Sequence, residues 1–547
     1  MGGMRWLLAV LVVAALLPLP VLATDGQTTT PDESVSYLFK KAANFTPATT
    51  VVIAVADSND YNIIALADVI AEKEGAPLFI TPEDKLDPQL IEIIQQLMTY
   101  ADVTNAIVVG VGSNASSIAD LVAKISTPEA NLVVTRIIAD NVYTLSLKVT
   151  VYVFNSSSYA VISDGNVPED IAKGLMIALN DRIPLIYEQA DFSDINATLE
   201  LLGVTTVYTT PAVEATTETK LSDAGYTVNS SWRGLDLSKN LDVLLASVEP
   251  AKNATVVVPN SEDFIRLASV MGVNASIIAT NTSTNLGDYA SDYLSTSKPQ
   301  VVLVFGNNTR IADSVLLDIA SASGGKVERV FFTTEYMMID RLGLIEAGYL
   351  YPIIVVDNIN VTDSHYKYTF RNIGFSDAVR YGDYAIRVEF TKKSGSFENA
   401  KPEPIYQNDT VVVFYHTNTV YPYDTFNIEF DTTVGTSFET YPKITYNAMT
   451  LVGTIITIQS YLDWFIEKVQ SFKEWFIDMF KKFFGTIVSH IPLPGPAATA
   501  VAAIIVFLIF WTIIGTVAYV VKAYVLKKRI ESPVFYGPIG WILGRRG

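Results

Sequence analysis

Eleven asparagines stand in Asn-x-Ser/Thr triplets: Asn44, Asn114, Asn155, Asn196, Asn229, Asn253, Asn274, Asn281, Asn307, Asn360 and Asn408. In such a triplet the side-chain amide accepts an oligosaccharide, so each marks a surface position of an exported protein. The chain has 28 asparagines. With Ser and Thr at roughly one residue in six, chance supplies about four or five triplets. The excess predicts a glycosylated surface protein.

Other chemistry is sparse. Asp57, Ser58, Asn59 and Asp60 crowd the end of an apolar run, where oxygen ligands would suit a cation such as calcium, or a glycan. The same residues also serve as the start of a helix. Gly110-Val111-Gly112-Ser113-Asn114-Ala115 imitates a dinucleotide-binding loop, but Ala115 replaces its third glycine and no acidic residue closes the next strand at the expected distance. It reads as a turn. The three histidines, His365, His416 and His490, form no metal-type pair and have no Gly-x-Ser-x-Gly elbow beside them. Cysteine is absent, which rules out thiol chemistry and disulfides. No cofactor, resident metal or catalytic residue is expected, calcium being the exception the acids leave open.

The elements that must position these residues are α/β. Residues 50–57 read as a buried strand, 63–76 as an amphipathic helix, 77–81 as a strand, 86–101 as a helix and 105–112 as a third strand. The order recurs from residue 149, where 149–154 and 160–165 read as apolar strand segments, and again from residue 254. A spacing near 100 residues suits small domains and not a solenoid. Three tandem parallel-sheet α/β modules are predicted, over 34–146, 147–248 and 249–330.

Gly75-Ala76-Pro77-Leu78-Phe79-Ile80-Thr81, Ile107-Val108-Val109-Gly110-Val111-Gly112, and Pro168-Glu169-Asp170-Ile171-Ala172 with Pro184-Leu185-Ile186 resemble the type 2 cell-wall-binding repeat. Arg136 with Ala139 and Tyr143 resembles its inter-repeat signature, and Arg233-Gly234 is a poorer echo. Ile63, Val142 and Ser276 depart from it, standing where the family has a helix-starting Asp, an Arg and a Pro. The resemblance implies a pseudo-threefold ring that holds an exported protein to an anionic wall polymer. It makes Arg136, Arg233 and Trp232 the candidate ligand contacts at module junctions.

The two ends decide topology. Residues 1–23 read as a cleavable export signal, with Arg5 before an apolar core. Residues 497–521 carry no charge. They would make about 37 Å of helix, enough for one membrane span. Lys522, Lys527, Lys528 and Arg529 follow, so the tail at 522–547 is expected in the cytoplasm and everything before the span outside. The net charge of -19 repels nucleic acid.

Between repeats and span, residues 331–447 show short alternating strands at 384–390, 410–416 and 425–430 and read as a β-sandwich. Residues 335–348 read as helical and would complete the third module. From 448 to 490 a four-and-three rhythm through Leu451, Ile455, Ile458, Leu462 and Phe465 predicts a long helix. That helix would be a coiled coil, lie on the membrane, or pack on the sandwich. Together these features predict a non-enzymatic glycosylated surface protein, a subunit or membrane anchor of an S-layer-like coat, partnered by itself or other coat subunits. The alternative is a surface module that binds wall polymer or glycan, and the third reading is an ectoenzyme.

Overall fold

In the computed structural model the described residues are 48–127, 130–188, 192–231, 253–273, 275–330, 334–349, 351–449 and 454–460, with Phe39, Ala42, Phe332 and Leu462 besides. The chain divides into a unit ending at Phe465 and a unit from Ile466, and all described residues belong to the first. Asn44, Asn274, Trp232, Arg233, His490, the expected export signal, span and tail lie outside them. Among the described residues no helix is long and apolar enough to cross a membrane.

The first module runs β1 (Thr50–Val55), α1 (Tyr61–Glu74), β2 (Leu78–Thr81), α2 (Pro88–Tyr100), β3 (Asn105–Val111), α3 (Gly112–Val122), β4 (Val133–Ala139), and is followed by α4 (Val142–Val153). The second has β5 (Tyr159–Ser163), α5 (Pro168–Asp181), β6 (Leu185–Tyr187), α6 (Phe192–Leu202), β7 (Thr206–Thr209), α7 (Ala215–Asp223) and β8 (Thr227–Asn229). The third has β9 (Ala254–Val258), α8 (Ser261–Leu267), β10 (Ser276–Ala279), α9 (Asp288–Ser297), β11 (Val301–Phe305), α10 (Asp313–Ser323) and β12 (Lys326–Val330), and leads into α11 (Glu335–Glu346). The sheets are wholly parallel, in the orders β2-β1-β3-β4, β6-β5-β7-β8 and β10-β9-β11-β12. Three parallel α/β modules are therefore present, as the alternation of apolar runs and helical periods predicts.

Local signals start and stop these elements. Asp87 caps α2 by accepting from the Gln89 amide at 2.8 Å, with Pro88 in the first turn. Gly75 ends α1 in the left-handed region at φ 58°, where its amide reaches the Ala71 and Glu72 carbonyls. Residues 149–154 correct the reading from sequence. Their valines look like a strand, but they finish α4, which Asn141 caps by accepting from the Thr144 amide at 2.9 Å. Leu145, Ser146, Val149 and Thr150 form its buried stripe, and packing overrides the weak helix propensity of valine.

The helices that follow the first strand of each module, α1, α5 and α8, pack on one another, and their side chains share a single core. Ile63, Ile64, Leu66, Val69 and Ile70 of α1 are all buried there. Burying five such side chains contributes on the order of 10 kcal/mol. The outer sheet faces of modules two and three keep separate clusters. The ring closes through edge coverage: α4 lies against β6 of module two, and α11, which follows module three, lies against β2 of module one. The helix at 335–346 thus finishes the ring by covering the first module.

The sandwich holds β13 (Ile354–Thr362), β14 (His365–Asn372), β15 (Ile386–Ser394), β16 (Phe397–Lys401), β17 (Tyr406–Gln407), β18 (Val411–His416), β19 (Thr425–Thr432), β20 (Ser437–Phe438), β21 (Lys443–Met449) and β22 (Ile455–Gln459). One sheet has the order β13-β14-β19-β16 and the other β17-β18-β15-β21-β22, with antiparallel pairing. Inward aromatics fill the space between them, with Phe397 and Phe430 stacked at 4.1 Å and Phe370 and Phe426 at 4.8 Å. The expected helix from 448 is corrected at its start. Ile455 to Gln459 forms β22, paired with β21, and Ile458 is buried in the sandwich core. A run of β-branched residues beside an open strand edge favours strand over helix. The rest of the 448–490 segment, Leu462 apart, lies outside the described residues.

Sandwich and ring meet along α2 and α11. Ser460 donates to Glu92 Oε2 at 2.6 Å, Gln96 donates to Glu92 Oε1 at 2.8 Å, and Tyr349 donates to Gln96 at 3.3 Å. Arg341 of α11 is buried with its guanidinium 3.6 Å from the Tyr423 ring centroid.

Candidate functional site

In a sheet of order 2-1-3-4 the crevice for a ligand opens beyond the carboxyl ends of the first and third strands, where the chain leaves in opposite directions. Each module has such a crevice, and their contents differ. In module two it is filled from within. Asp170, third residue of α5 and fully buried, accepts from Ser163 Oγ at 2.9 Å, the Asp164 amide at 3.0 Å, Thr210 Oγ1 at 2.5 Å and the Ala212 amide at 2.9 Å. Four donors satisfy that carboxylate, which ties the loops after β5 and β7 together.

Asp263 is the matching third residue of α8, and it is equally buried. Here the donors are two arginines, Arg266 NH1 at 2.6 Å and Arg310 NH1 at 2.7 Å. Arg310 also pairs with Glu335 at the start of α11, at 2.9 Å. In module one the third residue of α1 is Ile63, so no carboxylate bridges the loops. That crevice is left to the Asp57–Asp60 turn and to groups from module three and α11.

The turn is held from both sides. Asp60 Oδ2 accepts from the Asp57 amide at 2.7 Å, so Asp60 closes its own loop without bonding a helix amide through its side chain. Arg266 reaches across from module three, donating to the Ser58 carbonyl at 3.1 Å, Asn59 Oδ1 at 3.2 Å and Tyr61 Oη at 3.1 Å. Tyr336 of α11 approaches Asp57 Oδ1 at 3.5 Å. Asp57 and Asn59 are exposed, while Asp60, Tyr61 and Tyr336 are half-buried. Burial raises the Glu83 pKa, and the charges of Asp60 and Asp57 add to the rise. Burial likewise raises the Tyr336 and Tyr61 hydroxyls, so both are neutral donors at pH 7.

The opening therefore presents carboxylate acceptors beside two tyrosine rings, with its arginines already neutralised by Asp263 and Glu335. Such a surface suits a hydroxyl-rich ligand better than a bare polyanion. Among the described residues no three acidic or histidine side chains group as ligands of a metal ion.

The structure brings Asp57 and Asp60 into this site and leaves Arg136 out of it. Arg136 lies on β4 and pairs with Asp120 of its own module at 2.7 Å, with both side chains largely exposed. At that position it forms a surface ion pair. Its counterpart in register on β12 is Arg329, whose guanidinium is buried and donates to the carbonyls of Gly306 at 2.5 Å and Ile311 at 2.8 Å. Sequence reasoning missed Arg329, Arg266 and Arg310. Alignment of the three inner helices would have found Arg266, since it shares the sixth helical position with Leu66 and Lys173. The Gly110–Ala115 segment forms the β3–α3 turn. Gly110 there is a packing residue, because a Cβ would sit 2.8 Å from the Ala115 Cβ.

His365 and His416 both lie in the sandwich. His365 pairs with Asp431 at 2.8 Å on an exposed face, and His416 stacks on Phe426 at 4.4 Å. Of the triplet asparagines, Asn114, Asn155, Asn253, Asn307, Asn360 and Asn408 are exposed, and Asn196, Asn229 and Asn281 are half-buried.

No protein-family model matches the chain, and no curated protein is similar to it. Among solved structures it is similar to Cwp8 from Clostridium difficile, at 15% identity and TM-score 0.41, over 59% of this chain and 55% of that one. It is similar to Cwp6 from Clostridium difficile at 18% identity and TM-score 0.40, over 55% and 48% of the two chains. The archaellum periplasmic stator protein FlaG from Sulfolobus acidocaldarius matches 20% of this chain and 98% of its own, at 15% identity and TM-score 0.10. The chain spans about half the length of the first two structures it matches.

Proposed function

We propose that this is a non-enzymatic cell-surface protein whose α/β ring binds a wall polymer or other glycan at the crevice of the first module. One observation carries the reading. Two of the three crevices are closed by a buried aspartate, while the first has Ile63 in that place and is lined by Asp57, Asp60, Tyr61 and Tyr336. The resemblance of the three repeats to a cell-wall-binding family supports the same class of ligand. The sign of the site refines it: exposed acids and neutralised arginines favour a neutral, hydroxyl-rich chain, with calcium required if the polymer is anionic. Coat assembly stands second to polymer capture.

The test uses full-length protein in detergent and polysaccharide extracted from the envelope of its own cells, split by anion exchange into neutral and anionic fractions. Co-sedimentation with the neutral fraction is expected, weakened at least tenfold by Asp57→Ala and unchanged by Arg136→Ala. Absence of binding to both fractions, with and without calcium, would overturn the proposal, as would binding indifferent to Asp57→Ala and Asp60→Ala.

A further inference from the structure

A sheet edge offers a row of unused amides and carbonyls to any strand that approaches, and folded proteins protect such edges by charge, bulges or short length. Among the described residues several edges of this protein are protected in these ways. β12 carries Lys326, Glu328 and Arg329, and β17 and β8 are two and three residues long. β16 carries Glu398 and Lys401, and its register shifts between them.

β13 differs. It is nine residues long and forms one end of its sheet, paired on one side with β14. Its first half is covered, since Ile354 and Val355 are buried near α2, but the segment after the irregularity at Asp357 is open. Asp357 is its only charged residue, and Arg371 neutralises it at 2.8 Å. Asn358 through Thr362 then run in register against Thr369 through His365 with no charge of their own, and Val361 is 49% exposed. A β-branched, uncharged edge of this length is a template for strand addition by a second copy.

At this position the sequence has Asn360-Val361-Thr362, with Asn360 exposed on the polar outer face opposite Lys367. We infer that Asn360 is glycosylated, and that the glycan is the guard of this edge. The transfer forms a C–N bond between Asn360 Nδ2 and the anomeric carbon of a lipid-phosphate-linked oligosaccharide. That carbon's bond to the phosphate oxygen breaks, the lipid phosphate leaves with the electron pair, and the amide gives up one proton to the transferase. The bulky hydrated chain then occupies the space a second strand would need. The inference shares the surface location with the polymer-binding reading and nothing else.

The test begins with full-length protein from its own cells and peptide mass spectrometry of the Asn360 peptide. A glycan mass on that peptide is expected, and an unmodified peptide overturns the inference. Next, Thr362→Val removes the acceptor triplet while keeping a β-branched side chain, with Ser157→Ala removing the loop triplet at Asn155 as control. Light scattering in detergent is expected to show association raised several-fold for Thr362→Val and unchanged for Ser157→Ala. Thr362→Val combined with Asn358→Lys should return to the unassociated state, because a charge replaces the glycan as guard. If Thr362→Val does not associate, or the lysine does not reverse it, the edge role is wrong. Polymer binding on the same samples separates failure here from failure of the crevice assignment.

Discussion

Glu346 is the group whose titration should move stability most. It lies fully buried in α11, where Ser269 Oγ donates to it at 3.1 Å, and α11 is the helix that closes the ring on β2. Burial raises its pKa from 4.5 to about 8, against the opposing hydrogen bonds of Ser269 and the Leu78 backbone. Asp68, beside it, is also raised well above its ordinary value, by burial first and by Glu346 second. The folded state therefore holds protons that the unfolded chain releases. The stabilising contribution is complete below about pH 4.5 and is lost as pH rises through about 8. At pH 7 the 2.5-unit gap above the unfolded value costs about 3 kcal/mol at roughly 1.4 kcal/mol per unit. Glu346→Gln removes that cost, keeps an acceptor for Ser269, and adds one buried amide donor worth about 1 kcal/mol if unmet. A net gain of about 2 kcal/mol at pH 7 is expected, seen as a rise of a few degrees in Tm for a domain of this size. Thermal melts of full-length wild type and variant from pH 4.5 to 8.5 measure it. The gain should shrink as pH falls and turn into a loss of about 1 kcal/mol at the acid end, where the linkage cost has vanished and only the unmet donor remains. A gain equal at pH 5 and pH 8 would show that proton linkage at Glu346 is not its source.

Arg266→Ala should cost about 3–5 kcal/mol, because buried Asp263 loses one of its two cations and the Ser58 turn loses its clasp, whereas Arg136→Ala on the exposed pair should stay within about 0.5 kcal/mol. Equal melting shifts for the two would contradict the burial argument. Gly110→Ala should cost about 1–3 kcal/mol in the same melts, since the new methyl meets the Ala115 Cβ at 2.8 Å and the Val55 Cβ at 3.1 Å. A neutral result would mean that the β3–α3 turn yields more readily than its packing implies.

Much of the fold is written locally. Residues 50–57 and 63–76 alternate as buried strand and amphipathic helix, and β1 and α1 follow. The sandwich strands at 384–390, 410–416 and 425–430 were equally legible, because period-two alternation records one buried face. Where tertiary packing opposes propensity, reading fails. Valine-rich 149–153 is helix since its stripe meets β6, and Ile455–Gln459 is strand since β21 offers an edge. The site was half legible. Asp57 and Asp60 stand out as a polar turn after an apolar run, but Arg266 joins them from a different module. No local periodicity reports a contact between residues so far apart in sequence. Arg136 stands apart from them, paired with Asp120 of its own module, and its spacing in the sequence gives no sign of that partner.

The closure of the ring by α11 has a temporal consequence. β2 is made early, yet the helix that covers it begins only at Glu335, after two further modules. A chain emerging amino-terminus first completes modules in order but leaves the first one uncovered along that side until nearly the whole ring exists. Any truncation before Glu335 strands module one with a bare apolar flank, while a break after Glu346 does not. The last element of the ring to appear is thus the one that certifies the first.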